Sequence, residues 1–217
     1  MTGLLRYQCA LLLRSQRWIG PLVVYAAFLA AGVRPGDPLL DSLGFAAAGL
    51  VPLTVWLVRV CVTNEPDAAR DCAAAAAGPV RVHAAALLVA LGGALLAGAL
   101  GTVVVLLIGN PGRRVEPQDA ALAGALAVLA CALTGAAVGA LCSRPLLRST
   151  GLAVLAGGLG SLLAWGIAGS PARSAVTALV EGSRVEAVTL PLAAFAGSLV
   201  LACGAGAVAC LVSARRG

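Results

Sequence analysis

The sequence predicts an all-α, polytopic membrane protein with six transmembrane helices. It also predicts an N-terminal amphipathic interfacial helix and a short polar helix in the cytoplasm, between the second and third spans. The first observation is composition: of 217 residues 60% are hydrophobic and 11% charged, and the mean hydropathy is +0.99. Water-soluble domains carry about 25% charged residues, so this apolar surface exceeds what one soluble core can bury. The second observation is a series of six apolar segments, and the third is the distribution of arginine between them. We expect a single transmembrane domain over residues 1–217.

Six apolar segments, each near the ~20 residues that a membrane-crossing helix needs, form the predicted spans. Proline, glycine, asparagine and aspartate separate the segments and end the helices at those points. The first segment is short, and the third is long enough to tilt or to project from the membrane. The predicted spans are residues 18–33, 40–62, 80–108, 120–141, 151–168 and 188–212.

The arginines predict the orientation of the spans, because cytoplasmic loops of membrane proteins carry an excess of Lys and Arg. The chain has no lysine, so all 15 of its Lys and Arg residues are arginine. With the N-terminus inside, ten arginines fall in cytoplasmic segments and five in external ones, and only the external pair Arg113–Arg114 opposes the trend. We therefore expect both termini in the cytoplasm, and no role for this charge in nucleic-acid binding.

The N-terminal segment 2–17 is too polar to cross a membrane, and its helical periodicity predicts a helix that lies along the inner membrane surface. Its arginines fall in one narrow sector and its leucines on the far side, although Gln8 and Ser15 intrude there. The alternative is a frayed tail. The residues expected at the membrane interface are Arg6, Arg14, Arg17 and Trp18.

Small residues recur every fourth position within the spans, a pattern typical of helices whose backbones approach closely. No span carries a charge at mid-depth, which argues against a proton relay or a coupled-ion site. The spacing predicts packing faces, either within the chain or between two copies. The candidate packing residues are Gly93, Gly101, Gly135 and Gly139.

The segment 63–78, TNEPDAARDCAAAAAG, is a polar interruption between the second and third spans. Thr63 or Asn64 is expected to cap a new helix, and Pro66 suits its first turn. Five consecutive alanines extend the helix, and Gly78 followed by proline ends it. The sequence predicts a helix of about three turns, with its charged residues on one face and Ala and Cys on the other. The alternative is a solvated connector.

This arrangement resembles the type-2 ATP-binding-cassette permeases, the membrane subunits of bacterial exporters that work with a separate ATPase. The resemblance rests on the opening helix LLRYQCALLLRSQRW, on the six spans, and on the stretch RVCVTNEPDAARDCAAAAAGPVRVHAAALL. The alanine- and arginine-rich, lysine-free composition is similar to that of actinobacterial permeases. The chain is shorter than many members of that family and has a modest last external segment, residues 169–186, in place of a larger one.

The resemblance implies that the polar helix is a coupling helix that docks on the ATPase subunit. It implies a multi-pass protein of the bacterial plasma membrane that acts in efflux as a homodimer or beside a sister permease. ATP and Mg²⁺ would bind to the partner, and this chain would hold no cofactor. The residues expected to contact the ATPase are Glu65, Pro66, Asp67, Arg70 and Asp71.

Other chemistries find little support in the sequence, which predicts no catalytic residue and no metal site. Without lysine there is no P-loop, so we expect the chain to have no ATPase site of its own. We expect a membrane permease subunit and not an enzyme. His83 is the single histidine, which excludes multi-histidine zinc sites. The stretch DAARD resembles the acidic motif of phosphatidyl-alcohol transferases, but the next acidic residue after Asp71 is Glu116, predicted to lie across the membrane. The seven cysteines are interpreted as small apolar residues in a reducing compartment.

The cargo and the oligomer remain open at this level. Alanine, leucine and valine in the spans favour an amphipathic, lipid-like or drug-like substrate over an ion. The remaining alternative is a non-transporting membrane protein, such as an assembly or immunity factor.

Overall fold

The structure, a computed structural model, describes residues 1–110, 115–144, 146 and 149–216, with the side chains of Asp67 and Arg216 left outside the description. The pair Arg113–Arg114 also lies outside it. The described part contains ten α-helices and no strand, so the all-α prediction is confirmed. The helices are α1 Thr2–Ser15, α2 Ile19–Gly32, α3 Leu39–Ala48, α4 Leu50–Thr63, α5 Asp67–Ala77, α6 Pro79–Ile108, α7 Pro117–Leu141, α8 Thr150–Gly166, α9 Pro171–Val185 and α10 Leu192–Arg216.

Four helical stretches in the described part are long and apolar enough to cross a membrane, and a fifth arises if α8 and α9, bent by 45°, make one crossing. The chain therefore has the character of a membrane protein. Two of the six predicted spans form helices shorter than the ~20 residues of a typical crossing, since α2 has 14 residues and α8 has 17, so six crossings are not confirmed. The four long stretches are Leu39–Thr63, Pro79–Ile108, Pro117–Leu141 and Leu192–Arg215.

The central helix of the bundle is α7, which packs against α3, α4, α6, α8, α9 and α10. Its buried positions are nearly all small, mainly alanine and glycine. Small side chains let neighbouring backbones approach closely. Such close packing favours helix association in a membrane, where the hydrophobic effect does not drive it. Larger residues of α3 and α4, such as Leu43, Leu50 and Leu57, fill the space around it and are almost fully buried.

The predicted second span is divided at Gly49 into α3 and α4. Pro52 lies three residues later, and a proline removes a backbone donor and clashes with the preceding turn. Phe28 of α2 fits against the glycine, where an added Cβ would lie 2.8 Å from its ring. Phe28 also stacks on Phe45, with ring centroids 4.1 Å apart. The break therefore coincides with the place where α2 attaches.

Two loops meet at the end of the bundle away from α5. The backbone N–H of Leu39 donates to the Asn110 carbonyl at 2.9 Å, and the N–H of Asn110 donates to the Asp37 carbonyl at 2.9 Å. Residues 34–38 and 109–110 are thus joined, which places the start of α3 beside the end of α6.

Most of the segment 169–186, interpreted from sequence as an external break, is the helix α9. Its buried residues Ala172, Ala175, Leu179 and Gly182 follow helical spacing. This stripe packs against α3, where Gly44 leaves room for Leu179 and Val176. The sequence contained the periodic signal, but proline, glycine and charged residues at both ends of the segment obscured it.

Candidate functional site

The polar helix predicted between the second and third spans is present as α5. It begins at Asp67, directly after Pro66, and ends before Gly78, whose φ of 87° is easily adopted only by glycine. The predicted caps are wrong. Thr63 donates its hydroxyl to the Arg59 carbonyl at 2.8 Å, and Pro66 precedes the helix instead of standing in its first turn. The alanine run therefore favours the helical conformation, and the proline marks where the helix begins.

One side of α5 lies on α6, and the other side is exposed. The half-buried positions, Arg70 among them, lie toward α6. The exposed positions recur at helical spacing and form what we call the α5 stripe: Ala68, Asp71, Cys72, Ala75 and Ala76. The sequence predicted the charged residues opposite the alanines, but Asp71 shares the exposed stripe with them. The side chain of Asp67 lies outside the described part of the chain.

Glu65 stands just before α5 and faces inward, with only 8% of its surface exposed. Its Oε1 accepts a hydrogen bond from the Tyr7 hydroxyl at 2.8 Å, and its Oε2 accepts one from Gln8 Nε2 at 3.4 Å. Bonds to a carboxylate are stronger than bonds between neutral groups. The contact of Glu65 is therefore with α1 of its own chain, and its predicted contact with another subunit would require this arrangement to open.

A third bond fastens the same corner, because Asn64 donates its side-chain N–H to the Leu11 carbonyl at 2.9 Å. The five residues Tyr7, Gln8, Leu11, Asn64 and Glu65 form what we call the α1 clasp. A buried amide or carboxylate needs a hydrogen-bond partner, and here the Gln8 amide and the Glu65 carboxylate pair with each other. The polar Gln8 on the leucine side of α1 was the sequence signal for this contact, because a polar group on a packed face requires a bond.

The Tyr7 pKa is raised above its ordinary value of 10.0. The main cause is the hydrogen bond that its hydroxyl donates to Glu65, followed by burial and by the negative charge of Glu65. A phenolate could not donate that bond and would stand beside a carboxylate. The clasp thus holds Tyr7 in its neutral form.

The remaining side of α1 is exposed and basic. Arg6, Arg14 and Arg17 are exposed, Trp18 is half-buried, and the leucines Leu5 and Leu12 pack against the core. Helix α1 ends at Gln16, whose φ of 54° turns the chain into α2. The leucine face of α1 is thus held against the bundle, and its arginines point away from it.

The four candidate packing glycines differ in their surroundings. An added Cβ would lie 2.7 Å from the Tyr25 hydroxyl at Gly101, 2.7 Å from the Val51 carbonyl at Gly135 and 2.8 Å from Val58 at Gly139. At Gly93 the nearest atom, in Leu57, is 3.7 Å away, an ordinary contact. Sequence spacing did not single out Gly98, where Val128 and Leu50 lie at 2.6 and 2.8 Å from such a Cβ.

The described residues contain no cluster of three or more His, Cys, Asp or Glu side chains that could hold a metal ion. All seven cysteines are free thiols, among them the buried Cys61 and Cys131 and the exposed Cys72. His83 is buried in α6, and neither of its ring nitrogens has a hydrogen-bond partner in the described part of the chain.

In comparison with known proteins, the chain matches no family model, and neither a curated protein nor a solved structure is significantly similar to it. The fold defines the class by itself: within the described residues the protein is all-α, with four or five helical stretches long and apolar enough to cross a membrane. Its distinguishing feature is a short exposed polar helix, α5, whose entry is fastened to a surface helix by the α1 clasp.

Proposed function

We propose that the chain is the permease subunit of an ATP-binding-cassette exporter in a bacterial plasma membrane. It crosses the membrane six times with both termini in the cytoplasm, and it pairs with a second copy or a sister permease. A separate cytoplasmic ATPase, which holds ATP and Mg²⁺, drives the outward movement of an amphipathic or lipid-like substrate. The resemblance of the α1 and α5 regions to type-2 permeases supports this proposal.

The single observation that carries the proposal is the α5 stripe. Its alanines and Cys72 have small side chains, so a partner surface can approach the helix backbone closely, and Asp71 supplies a charge that fixes the orientation. Nothing within the described chain covers these residues, which are exposed. A short polar helix between two apolar ones otherwise adds only exposed surface.

The connections of α5 suit the transmission of force. Gly78 alone joins α5 to α6, and the α1 clasp joins the residues before α5 to the N-terminal helix. A displacement of α5 by an ATPase that closes on ATP therefore acts on α1, α4 and α6 together. Rigid helices with short connections move as units, which is how a docked partner could switch the bundle between inward- and outward-facing states.

Reversal of one charge tests the docking. Asp71→Arg is expected to abolish co-purification of the cassette ATPase partner that the proposal requires, with no loss of membrane insertion. The matched control is Asp119→Arg, an exposed acidic residue in the first turn of α7, beyond the far end of α6; it should leave ATPase binding unchanged. Glu65 is unsuited to this test because its reversal would break the clasp. Equal ATPase binding by wild type and Asp71→Arg, or no bound ATPase at all, would refute the proposal and favour a non-transporting membrane protein.

Cysteine labelling tests the orientation. A variant that retains only Cys72, which is exposed, should react with a membrane-impermeant maleimide in inverted vesicles and stay unreactive in intact cells. A cysteine-free chain with Arg184→Cys on α9 should show the opposite pattern, since that residue is exposed at the end of the predicted external segment. Labelling of Cys72 from outside the cell would contradict the docking of a cytoplasmic ATPase.

A further inference from the structure

A groove of 590 Å³ lies between α4 and α8, with α7 as its floor. We call this space the lateral groove. The lining is formed mostly by aromatic, aliphatic and glycine residues, with Pro52 and Trp165 toward one end and Arg59 at the other. Trp56 lines the groove with 45% of its surface exposed. In a membrane-embedded bundle such an open apolar groove adjoins lipid.

Arg59 is the charged residue of the lateral groove, and no carboxylate lines it among the residues that the structure describes. One guanidinium nitrogen donates to the Thr150 carbonyl at 3.3 Å, a neutral acceptor that leaves the positive charge uncompensated. An arginine has five N–H donors in a planar fork that matches phosphate oxygens. The groove thus ends in a cation suited to an anionic group.

The start of α8 adds to this positive end. Helix α8 begins at Thr150, beside Arg59, and no side chain caps its first N–H groups. The free N–H groups of a first turn carry partial positive charge and favour an anion. Arg59 and the helix start are contributed by different elements, so they reinforce each other at one end of the groove.

The rest of the groove offers few polar partners. The hydroxyls of Ser143 and Ser161 each donate to the carbonyl four residues earlier in the chain, at 2.6 and 2.9 Å. A ligand with polar groups along its length would leave those groups unpaired, at a cost of about 1–3 kcal/mol each. The complementary ligand is apolar along its length and negative at one end.

We propose that the lateral groove is a binding site for one anionic phospholipid of the surrounding bilayer. Its phosphate lies at Arg59 and the first turn of α8, and one acyl chain lies along Trp56, Gly158 and Trp165. This site is independent of the proposed transport function, because it requires only that the bundle be embedded in a membrane.

Native mass spectrometry of the full chain tests the site. The purified, delipidated protein is titrated with phosphatidylglycerol or phosphatidylcholine. We expect one tightly held phosphatidylglycerol, preferred about tenfold, which corresponds to about 1.4 kcal/mol. Arg59→Gln should remove the preference, whereas the control Arg14→Gln, in an exposed arginine of α1, should keep it.

A second pair of variants tests the acyl-chain position. At both Gly158 and Gly204 an added Cβ meets no atom within 4 Å, so a larger side chain begins in open space at either position. Gly158 lines the lateral groove and Gly204 lies on α10 away from it. Gly158→Leu should abolish the retained lipid, and Gly204→Leu should not.

Three outcomes would overturn the inference. Equal retention of the two lipids by the wild type would remove the role of charge. Equal effects within either pair of variants would show that the lipid lies elsewhere. A dimer that retains no lipid, and in which Gly158→Leu weakens association, would identify the occupant as a second copy of the chain.

Discussion

The Tyr7 hydroxyl donates a 2.8 Å hydrogen bond to the Glu65 carboxylate, and thereby joins α1 to the entry of α5 across 58 positions of the sequence. Gln8 and Asn64 add two further bonds at the same corner. These bonds give α1 a fixed place on the bundle that its leucine face alone does not define, because leucines can slide along an apolar surface whereas hydrogen bonds fix the register.

Loss of the Tyr7 bond is expected to loosen α1. Tyr7→Phe removes the stronger of the two bonds to Glu65 and should cost about 1 kcal/mol, since the tyrosine is partly exposed. Backbone amides of residues 2–15 should then exchange with deuterium about fivefold faster, with α7 unchanged. Glu65→Gln should act like Tyr7→Phe. Its control is Glu116→Gln, at an exposed glutamate. Unaltered exchange in both clasp variants would contradict a fastening role.

The same bond predicts how the clasp responds to alkaline pH. The folded state favours neutral Tyr7, so its pKa lies above 10.0. The contribution of the bond to stability is therefore complete below pH 10 and is lost as the pH rises through the raised value. Tyrosinate absorbance, taken as the difference between wild type and Tyr7→Phe, should show a transition above pH 10. In a Glu65→Gln background the transition should move down toward 10.0, and an unmoved transition would show that Glu65 does not raise the Tyr7 pKa.

The α-helical class and the long apolar helices were predictable because hydropathy and length decide what can cross a membrane. The clasp was not, because pairing between residues 53 to 58 positions apart leaves no periodic trace beyond an unexplained Gln8. Gly93 and Gly101 share one sequence pattern, yet only Gly101 is tightly packed. Spacing defines a face of a helix, but the neighbour on that face depends on how the helices assemble.

Gly135 tests whether a glycine of the repeated pattern is tightly packed against a neighbouring helix. A Cβ at this position would approach the Val51 carbonyl to 2.7 Å and Thr54 to 2.8 Å, so α4 and α7 would have to separate. Gly135→Ala should lower the free energy of unfolding by about 1–3 kcal/mol. Gly92→Ala, on α6 in open space, should be neutral or slightly stabilising, because alanine favours helices over glycine. Thermal unfolding in detergent compares the two, and equal melting temperatures would contradict the close approach of α4 and α7.

At the buried His83, unlike at Gly135, a bulky apolar side chain is expected to stabilise the protein. It is 1% exposed, and neither ring nitrogen is paired within the part of the chain that the structure describes. A buried polar group without a partner costs about 1–3 kcal/mol, and an apolar side chain of similar size removes that cost. His83→Leu should therefore raise the melting temperature in detergent, while His83→Ala should lower it by leaving a cavity. If leucine destabilises as much as alanine, the ring nitrogens do have a partner, and the residue holds the start of α6 in place through it.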